Sequence, residues 1–543
     1  MEGITLKTRW NGWGNPGIVM DLPPSAEAFL RERLGEFTPY PDAKLDEILA
    51  CVPKSRLLSH PRIITDPEER LRHARGQSLP DWVALRSGRI PAFPDGVAYP
   101  STPEDVRFFI GLAQKSNLHL IPYGGGTSVV GHINPQSGNH PVLTLDLRRM
   151  NRLIDLDETS RLATFEAGVV GPELEAQLKA HNFTLGHYPQ SFEASTLGGW
   201  IATRSSGQQS YYYGRIEDLF AGGCIETPRG RVILPPFPAS AAGPDLRHLF
   251  LGSEGRLGVI TQAKIRVRPL PKVEAFFGAF FRDWESGISA VRSAAQAALP
   301  LSMMRLSDPQ ETEVNLQLSG KEKLVRFADQ GLRLLRYGSE RCLLIYGVCG
   351  DQRQALQTKR QAEALFQYYR GLPTGSMIGE MWRKSRFRTP YLRNTLWELG
   401  IAIDTLETAL PWINVATAAE AIKVAIVEAA AAVGESVVVF SHLSHVYQDG
   451  ASIYVTFLFR RAPDPDETLE RWRAMKIAAS QTILANGGTI SHQHGVGTDH
   501  AVYLEAEKGT RGLALIEAAC QALDPEGLLN PGKLLASNTN IRT

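Results

Sequence analysis

The sequence predicts an α+β protein built from more than one domain. Its 543 residues exceed what a single hydrophobic core normally organises. In the first half, a helix beginning near Thr102 and a strand over residues 118–122 lead into a glycine-rich turn. From about Pro271 onwards, strand-like runs alternate with long helical runs, which is typical of a second α+β domain.

The individual elements follow from hydrophobic spacing and from local start and stop signals. The helix after Thr102 carries a capping-box pattern, with Asp105 as the acidic partner and Pro103 at the first helical position. The other predicted elements, in chain order, are a helix over 25–34, strands over 118–122, 142–145 and 162–165, a helix over 172–180, strands over 275–281 and 342–348, helices over 363–369 and 418–432, strands over 436–440 and 453–459, and a helix over 469–485. The stretch 523–533 is too rich in turn residues for a helix.

Changes in composition divide the chain into four predicted parts. Pro91, Pro94 and Pro100 mark the first boundary, and the change of pattern near Pro271 marks the second. We therefore predict an N-terminal helical extension over 1–92, a first main domain over 93–271, a second α+β domain over 272–500 and a C-terminal segment over 501–543.

Charge and composition argue against several function classes. Lys and Arg number 58 and Asp and Glu 57, so the net charge of +1 argues against nucleic acid as a partner. No uncharged apolar run reaches the roughly 18 residues that a membrane span requires. The first residues lack a basic segment followed by an apolar one, so we expect no secretory signal. Scattered cysteines without a C-x-x-C pair favour a reduced, cytoplasmic protein.

The strongest phosphate-binding signal is the glycine-rich turn over 122–128. Its residues are Pro122, Tyr123, Gly124, Gly125, Gly126, Thr127 and Ser128. Three glycines allow positive φ angles and let successive N–H groups approach an anion, while the two hydroxyls add donors. An ordinary tight turn is the alternative. A nicotinamide-binding βαβ unit would use Asp146, but the intervening stretch 131–141 cannot form the crossover helix that such a unit needs.

Two later segments extend this signal. The second segment contributes the candidate binding residues Gln190, Ser191, Ser195, Thr196, Thr203, Arg204, Ser205 and Ser206. The third is the turn Gly252, Ser253, Glu254, Gly255, Arg256, Leu257 and Gly258, which precedes a strand. Small and hydroxyl-bearing residues let the backbone approach a large planar ligand. Three such segments predict a ligand longer than one phosphate.

In the order and spacing of these three segments and of the C-terminal stretch 523–533, the sequence resembles the vanillyl-alcohol-oxidase type FAD-binding flavoproteins. The resemblance implies FAD as the cofactor, and the synthase branch that the sequence resembles most, described below, implies that it is held noncovalently. It implies an FAD-binding domain of two α+β subdomains, an α+β cap domain, and a C-terminal segment that returns to the FAD-binding domain. In that family the first loop holds the FAD pyrophosphate, and the other two line the flavin.

Histidine pairs in the second half raise the question of a metal. His442 with His445, or His492 with His494, could be ligands, but neither pair has a third ligand nearby in the sequence. We therefore predict no metal. A metal-using branch of the superfamily, the 2-hydroxyacid dehydrogenases, has the stretch His-x-Gly-Asp-Gly-Asn-Leu-His where this chain has residues 445–454. The last histidine of that stretch is replaced here by Tyr454. FAD-dependent oxidation of a 2-hydroxy acid is therefore the alternative function.

Across nearly its whole length, the sequence resembles the alkyldihydroxyacetonephosphate synthases, the flavoenzymes of ether-lipid synthesis. The matching blocks are 10–14, 212–219, 304–308, 390–393, 407–412 and 483–488. The resemblance implies a transferase reaction without net redox change. Flavin N5 attacks acyl-dihydroxyacetonephosphate, the carboxylate leaves, and a long-chain alcohol replaces it.

The same resemblance implies which residues form the catalytic site. Tyr454 matches the family's catalytic tyrosine, which would remove a proton α to the substrate carbonyl. Such a base needs nearby cations or imidazoles to lower its pKa from about 10. His187 matches a flavin-side histidine, and His492 and His494 match two members of a histidine triplet. By residue type alone, Tyr454 could equally be a core tyrosine, and the imidazoles could cap loops.

Two arginines are candidate substrate-binding residues. Arg393 matches the family's phosphate-binding arginine, and Arg305 matches a second functional arginine. Arg393 stands in an otherwise uncharged stretch, which suits a bidentate phosphate contact. A solvated charge on a helix is the alternative interpretation of the same residue.

Gln493 departs from the family pattern, because it replaces the middle histidine of the triplet. Glutamine can donate or accept a hydrogen bond but carries no proton at neutral pH, so the departure concerns substrate identity more than flavin chemistry. His492 and His494 alternate along a strand-like stretch. We therefore expect both imidazoles on one side and Gln493 on the other.

Three functions follow, in order of preference. The first is ether-bond formation on acyl-dihydroxyacetonephosphate, the second is oxidation of a 2-hydroxy acid, and the third is a flavin-binding protein without turnover. The expected partners are a small-molecule lipid or hydroxy-acid substrate and a second copy of the chain in a homodimer. A lipid substrate would also favour peripheral contact with a membrane surface, although no amphipathic anchor is evident.

Overall fold

A computed structural model describes residues 8–318 and 322–536 of the chain. The first residues, on which the expectation of no secretory signal rests, lie outside the described residues. Within the described ranges, no helix combines the length and apolarity needed to cross a lipid bilayer. Helices and sheets are mixed along the chain, and the predicted α+β class is confirmed.

The N-terminal extension packs against the rest of the protein instead of folding alone. Its described helices are α1 (Pro24–Leu34), α2 (Leu45–Cys51), α3 (Pro67–Arg72) and α4 (Leu79–Ser87). Leu30 and Leu34 of α1 are buried in an apolar cluster with Leu392 and Phe440 of the second domain. Trp82 of α4 is fully buried in the core of that same domain. The extension therefore packs as part of the second domain and shares its apolar core.

The first main domain is built around a parallel and an antiparallel sheet. Its strands are β1 (Gly96–Ala98), β2 (His119–Tyr123), β3 (Val142–Asp146), β4 (Leu153–Asp157), β5 (Leu162–Glu166), β6 (Phe183–Thr184), β7 (Phe220–Thr227), β8 (Gly230–Leu234), β9 (Val259–Arg266) and β10 (Arg268–Pro269). In the described part of the chain, the parallel sheet has the order β1-β3-β2 and the antiparallel sheet the order β4-β5-β9-β7-β8. Strands β6 and β10 pair separately.

Short helices connect these strands. They are α5 (Pro103–Ser116), α6 (Gly171–Lys179), α7 (Leu197–Thr203), α8 (Ser210–Tyr213), α9 (Ile216–Leu219) and α10 (Arg247–Phe250). The predicted capping box of α5 is confirmed, because the Thr102 hydroxyl accepts from Asp105 N while the Asp105 carboxylate accepts from Thr102 N. Each sheet has its own apolar cluster, so the domain consists of two α+β subdomains.

The second domain is one antiparallel sheet covered by helices. Its strands are β11 (Val273–Phe281), β12 (Leu301–Ser307), β13 (Cys342–Gly350), β14 (Leu372–Pro373), β15 (Ile401–Pro411), β16 (Val437–Val446) and β17 (Gly450–Arg460), in the spatial order β14-β11-β13-β12-β16-β17-β15 within the described residues. The helices are α11 (Trp284–Gln296), α12 (Pro309–Leu318), α13 (Glu322–Leu334), α14 (Gln352–Tyr368), α15 (Met377–Ser385), α16 (Thr389–Glu398), α17 (Trp412–Ala432) and α18 (Pro465–Ala485).

The chain then crosses back to the first domain. Helix α19 (Leu504–Leu523) follows the irregular segment 486–500, and its axis changes direction at Gly509. Beyond it, Leu120 N of β2 donates to Leu528 O at 2.8 Å, and Asn530 N donates to Leu120 O at 2.8 Å. These bonds place residues 528–530 beside the strand that leads into the first glycine turn.

Two sequence predictions differ from the structure in an informative way. Strand β16 continues past the predicted end at Phe440 to Val446. The apolar pattern stops at Phe440 because Ser441, His442 and Ser444 are polar, but the backbone continues as a strand through them. The predicted strand-like stretch around His492 is wrong, since residues 486–500 form turns and bends without a strand.

Candidate active site

One large cavity lies between the glycine turns of the first domain and the inner face of the seven-stranded sheet. Its volume is about 570 Å³, and it is lined from both domains and from the N-terminal extension. All seven residues of the first turn, 122–128, line it. The cavity therefore joins the predicted cofactor-binding segments to the residues of the second half.

Close packing between two loops explains why the first turn needs glycine. A Cβ on Gly125 would lie 1.8 Å from Ala194 O, and a Cβ on Gly124 would lie 2.3 Å from Thr196 Oγ1. Gly126 has a φ of +69°, which disfavours side chains. The first turn can thus approach the second segment closely enough for both to face one ligand.

The other predicted cofactor-binding residues divide into two groups. Those that line the cavity are Gln190, Ser191, Ser195, Thr196, Thr203, Ser205, Ser206, Glu254, Gly255 and Gly258. Those that do not line it are Arg204, Gly252, Ser253, Arg256 and Leu257. The second group supports the loops: Arg204 Nε donates to Glu217, Arg256 donates to Leu529 O, and Leu257 is buried in the core.

Glu254 of the third turn connects the two halves of the site. Its carboxylate accepts from Val496 N at 2.5 Å and from Gly497 N at 2.8 Å, and it lies 3.1 Å from His132 Nε2. Burial alone would raise the pKa of Glu254, but His132 and the two backbone donors outweigh it and lower the pKa. The carboxylate therefore stays ionised and holds the segment that follows His494.

Tyr454 lies on the cavity wall between two imidazoles. Its ring stacks on His442 with centroids 5.0 Å apart and meets His494 edge-on at 5.6 Å. Its hydroxyl donates to Thr405 Oγ1 at 3.1 Å. Burial raises the pKa of the phenol above its ordinary value near 10. The neighbours thus do not supply the lowered pKa that the sequence prediction required of a base.

Arg305 lines the cavity but is engaged by an ion pair. Its Nη2 donates to Glu311 Oε1 at 2.7 Å, and the same carboxylate oxygen lies 2.8 Å from His442 Nδ1. Burial alone would raise the pKa of Glu311, but Arg305 and His442 outweigh it and lower the pKa to about 2. Glu311 thereby orients both Arg305 and the imidazole that stacks on Tyr454.

Glu407 holds the loop that carries the predicted histidines. Its Oε1 accepts from Gln493 N at 2.5 Å and from His494 N at 2.6 Å. His494 and Gln493 both line the cavity, whereas His492 does not. The prediction that both imidazoles share one side and Gln493 the other is therefore wrong, because the segment turns instead of extending.

His492 lies behind the cavity wall in a fixed hydrogen-bond arrangement. Its Nε2 is 2.6 Å from Tyr447 Oη and 2.9 Å from Arg215 Nη1. Since a guanidinium only donates, Nε2 is the acceptor and the ring proton is on Nδ1, 3.6 Å from Glu407 Oε2. Its ring stacks on His445 with centroids 4.9 Å apart.

His187 also lies outside the cavity lining. Its Nε2 is 3.1 Å from Ser205 Oγ, and Ser205 does line the cavity. Burial lowers the pKa of His187 to about 3, so the imidazole is neutral. The structure therefore places this predicted flavin-side residue one side chain away from the cavity.

The histidines weighed as metal ligands in the sequence have different partners in the structure. His442 contacts Glu311, His445 Nδ1 contacts two serine hydroxyls, and His492 contacts Arg215. Across residues 8–318 and 322–536, no group of three or more His, Cys, Asp or Glu residues is arranged to hold a metal ion.

Arg393 lines the cavity and has a donor that is not used within the protein. Its Nη1 donates to Gln77 O, its guanidinium carbon lies 4.3 Å above the Trp82 ring, and its Nη2 is buried without a hydrogen-bond partner among the described residues. Burial lowers the pKa of Arg393 to about 10, which still leaves it charged at neutral pH. A buried cation with a free donor is an anion-binding group.

The far branch of the cavity is apolar. It is lined by Leu22, Ala26, Phe29, Leu30, Val314, Leu318, Leu392, Leu396, Ile403, Val438, Phe440 and Leu458. These side chains come from α1 and the residues before it, α12, α16 and the seven-stranded sheet. This branch has no signature in the sequence, because its residues are spread over more than 400 positions and have the character of ordinary core residues.

The residues present suit FAD. The first turn packs so closely on the second segment that no Cβ fits, which leaves backbone amides and hydroxyls facing the cavity. The cavity continues past the second and third segments, as a ligand longer than one phosphate requires. Backbone N–H groups of residues 123–128, after Pro122, and the polar side chains of the second segment would hold the cofactor.

Comparisons with known proteins agree with this site. Residues 94–234 match the family model described as FAD binding domain, and residues 270–534 match FAD linked oxidases, C-terminal domain. The chain is 30% identical to alkyldihydroxyacetonephosphate synthase of Trypanosoma brucei brucei, covering 97% of this chain and 92% of that protein. It is 30% identical to the Dictyostelium discoideum enzyme of the same name, with coverage of 97% and 93%.

A solved structure supports the same relationship. The fold superposes on an alkyldihydroxyacetonephosphate synthase with a TM-score of 0.83 and 27% identity, covering 96% of this chain and 98% of that one. Fold, cavity and matches together define an FAD-dependent flavoenzyme with an FAD-binding domain and a cap. Within that class, the chain belongs to the alkyldihydroxyacetonephosphate synthase family.

The contact between the first two segments generates a test. Gly125→Ala should abolish most FAD binding, because its Cβ would collide with Ala194 O, a backbone atom that cannot rotate away. Gly111→Ala is the control, since a Cβ there meets nothing within 4 Å and alanine favours a helix interior by up to about 1 kcal/mol. The measurement is bound flavin per purified chain by visible absorbance. Full FAD occupancy in Gly125→Ala would contradict the packing argument.

Proposed function

We propose that the protein exchanges the acyl chain of acyl-dihydroxyacetonephosphate for a long-chain alcohol. The observation that carries the proposal is that an apolar branch and Arg393, an arginine with an unpaired donor, line one cavity together with the predicted FAD-binding segments. A phosphate ester with a long hydrocarbon chain requires both features. A small 2-hydroxy acid would require neither the length nor the apolarity of the branch.

The apolar branch would hold the hydrocarbon chains. Burying each methylene there is worth about 0.8 kcal/mol, so a long acyl or alkyl chain gains substantial affinity without any polar contact. Ile403 of the branch lies on the same strand as Thr405, two residues away, and Thr405 lines the cavity and accepts from the Tyr454 hydroxyl. A chain bound there would present its ester end to Tyr454.

Arg393 would bind the substrate phosphate. Its free Nη2 supplies a charge-assisted hydrogen bond, and its other amino group is already fixed by Gln77 O. Arg305 is held by Glu311, so we assign it to orienting the imidazole of His442 and to a longer-range attraction for the phosphate. The two arginines line the same cavity.

The exchange is balanced without an external oxidant. The bond between C1 of the dihydroxyacetonephosphate unit and the acyl oxygen breaks, the fatty acid departs, and the alcohol oxygen forms the new bond to C1. When bound, FAD supplies the nucleophilic N5 for this substitution. Tyr454 would transfer the proton on C1, with His494 beside it and Gln493 as a hydrogen-bonding group.

A membrane contact and a homodimer, both predicted from the sequence, stay predictions.

A direct assay tests the proposed reaction. Incubating the holoprotein with palmitoyl-dihydroxyacetonephosphate and labelled hexadecanol should release palmitate and incorporate the label in equal amounts. The control omits the alcohol. Fatty-acid release without incorporation, or bleaching of the flavin by lactate-like acids, would contradict the proposal.

Replacing the arginine at the phosphate site should weaken substrate binding. Arg393→Lys keeps a charge but loses the planar group that stacks on Trp82, donates to Gln77 O and keeps a second donor unused. We expect KM for the acylated substrate to rise by about 10- to 100-fold, with a smaller change in kcat. Arg388→Lys, at an exposed position before the same helix, is the matched control. Equal KM values for the two variants would remove Arg393 from the phosphate site.

The rate should rise with pH if the Tyr454 phenolate is the base. Burial raises the pKa of this phenol, so its ionised fraction grows about tenfold per pH unit across the neutral range. The imidazoles of His442, His445 and His494 do not titrate there, because burial lowers their pKa values. We expect log kcat at saturating substrate to rise with slope near one from about pH 7 to 9. Tyr454→Phe should lose this activity while it keeps FAD, and a flat wild-type profile would exclude the phenolate.

A further inference from the structure

A residue outside all the predicted site segments connects the first glycine turn to the phosphate site. Gln77 precedes α4 and lines the cavity. Its backbone N–H donates to Ser128 O of the turn at 2.6 Å, and its backbone carbonyl accepts from Arg393 Nη1. One residue thus touches the end of the cofactor loop and the substrate-binding arginine.

The side chain of Gln77 adds two further bonds in the same direction. Its Oε1 accepts from Trp82 Nε1 at 2.8 Å, which fixes the indole on which the Arg393 guanidinium lies at 4.3 Å. Its Nε2 donates to Gly12 O at 3.4 Å. The residue after Gly12, Trp13, exchanges two hydrogen bonds of 3.1 Å with Asn394, the neighbour of Arg393. Both ends of the carboxamide are therefore connected to Arg393, one through Trp82 and the other through the segment 12–13 and Asn394.

The contact with the glycine turn leaves little freedom. A Cβ on Gly76 would lie 2.6 Å from Ser128 O, so the chain before Gln77 must approach the turn without a side chain. Ser128 is itself held, because its hydroxyl accepts from His132 N at 3.0 Å and lies 2.8 Å from His132 Nδ1. A shift of the turn on binding a pyrophosphate would therefore be passed to Gln77 through a short bond between backbone atoms.

We propose that Gln77 is a positioning residue that couples occupancy of the FAD pyrophosphate loop to the placement of Arg393. The loop, Gln77, Trp82 and the Arg393 guanidinium are connected in series by hydrogen bonds and a cation–ring contact. A ligand that orders the loop therefore also orders the guanidinium, and the reverse. The coupling is reciprocal: a phosphate ligand at Arg393 strengthens FAD binding by the same factor as FAD strengthens phosphate binding. The inference rests on the proposed role of Arg393.

Release of FAD from the holoprotein tests the coupling without turnover. We expect saturating dihydroxyacetonephosphate to slow FAD release, followed by flavin fluorescence, by about fivefold or more in the wild type. Gln77→Met keeps the size of the side chain and both backbone bonds but loses the bonds to Trp82 and Gly12. Its ratio of release rates with and without ligand should fall towards one, and KM for the acylated substrate should rise about tenfold with little change in kcat.

Two further variants separate coupling from general stability. Gln177→Met is the matched control, since that carboxamide also bonds through both ends, to Leu153 N and Asn151 O, and does not line the cavity. It should keep the wild-type ratio. Trp82→Phe removes the donor to Gln77 but keeps a ring under Arg393, and combined with Gln77→Met it should add little to either change alone.

The possible outcomes are distinct. Equal slowing of FAD release in the wild type and Gln77→Met would overturn the coupling and leave the proposed function standing. A wild type that turns over substrate but shows no slowing would do the same. A wild type with neither turnover nor an effect of dihydroxyacetonephosphate on the flavin would overturn the proposed function and this inference together.

Discussion

Two buried carboxylates, one from each domain, hold the segment that closes the active site. Glu407 of β15 accepts the backbone N–H groups of Gln493 and His494, and Glu254 of the third glycine turn accepts those of Val496 and Gly497. Both carboxylates have lowered pKa values despite burial, because imidazoles and backbone donors surround them. A buried donor left unsatisfied costs about 1–3 kcal/mol, so these four bonds strongly constrain an otherwise irregular stretch.

This arrangement explains how a loop can carry part of an active site. Residues 486–500 have no strand or helix of their own, so their geometry depends on groups from elsewhere. Glu407 fixes the cavity-facing side, and Tyr447 and Arg215 fix His492 behind it. As a result, His494 meets Tyr454 edge-on while Gln493 faces the same cavity. The polar side of the site is thus assembled by both domains at their junction.

The distribution of charge in the cavity follows the same principle. Arg305 is neutralised by Glu311, while Arg393 is held by a carbonyl and an aromatic ring and keeps a free donor. The imidazoles have lowered pKa values and are neutral at physiological pH. Among the arginines that line the cavity in the described part of the chain, Arg393 is the one with a buried donor that lacks a hydrogen-bond partner. The structure therefore offers an anion one specific position.

The sequence by itself determined the class of protein and predicted three segments for binding FAD. Local signals sufficed for the capping box at Thr102, for the glycine turn after β2 and for most strands, because each depends on neighbouring residues. The roles of Glu254, Glu407, Glu311 and Gln77 were decided only by the tertiary structure. Their partners lie 242, 86, 131 and 316 positions away, in Val496, Gln493, His442 and Arg393, and no local pattern records such pairings. The same holds for His187 and His492, which the motif predicted at the site and the packing places behind its wall.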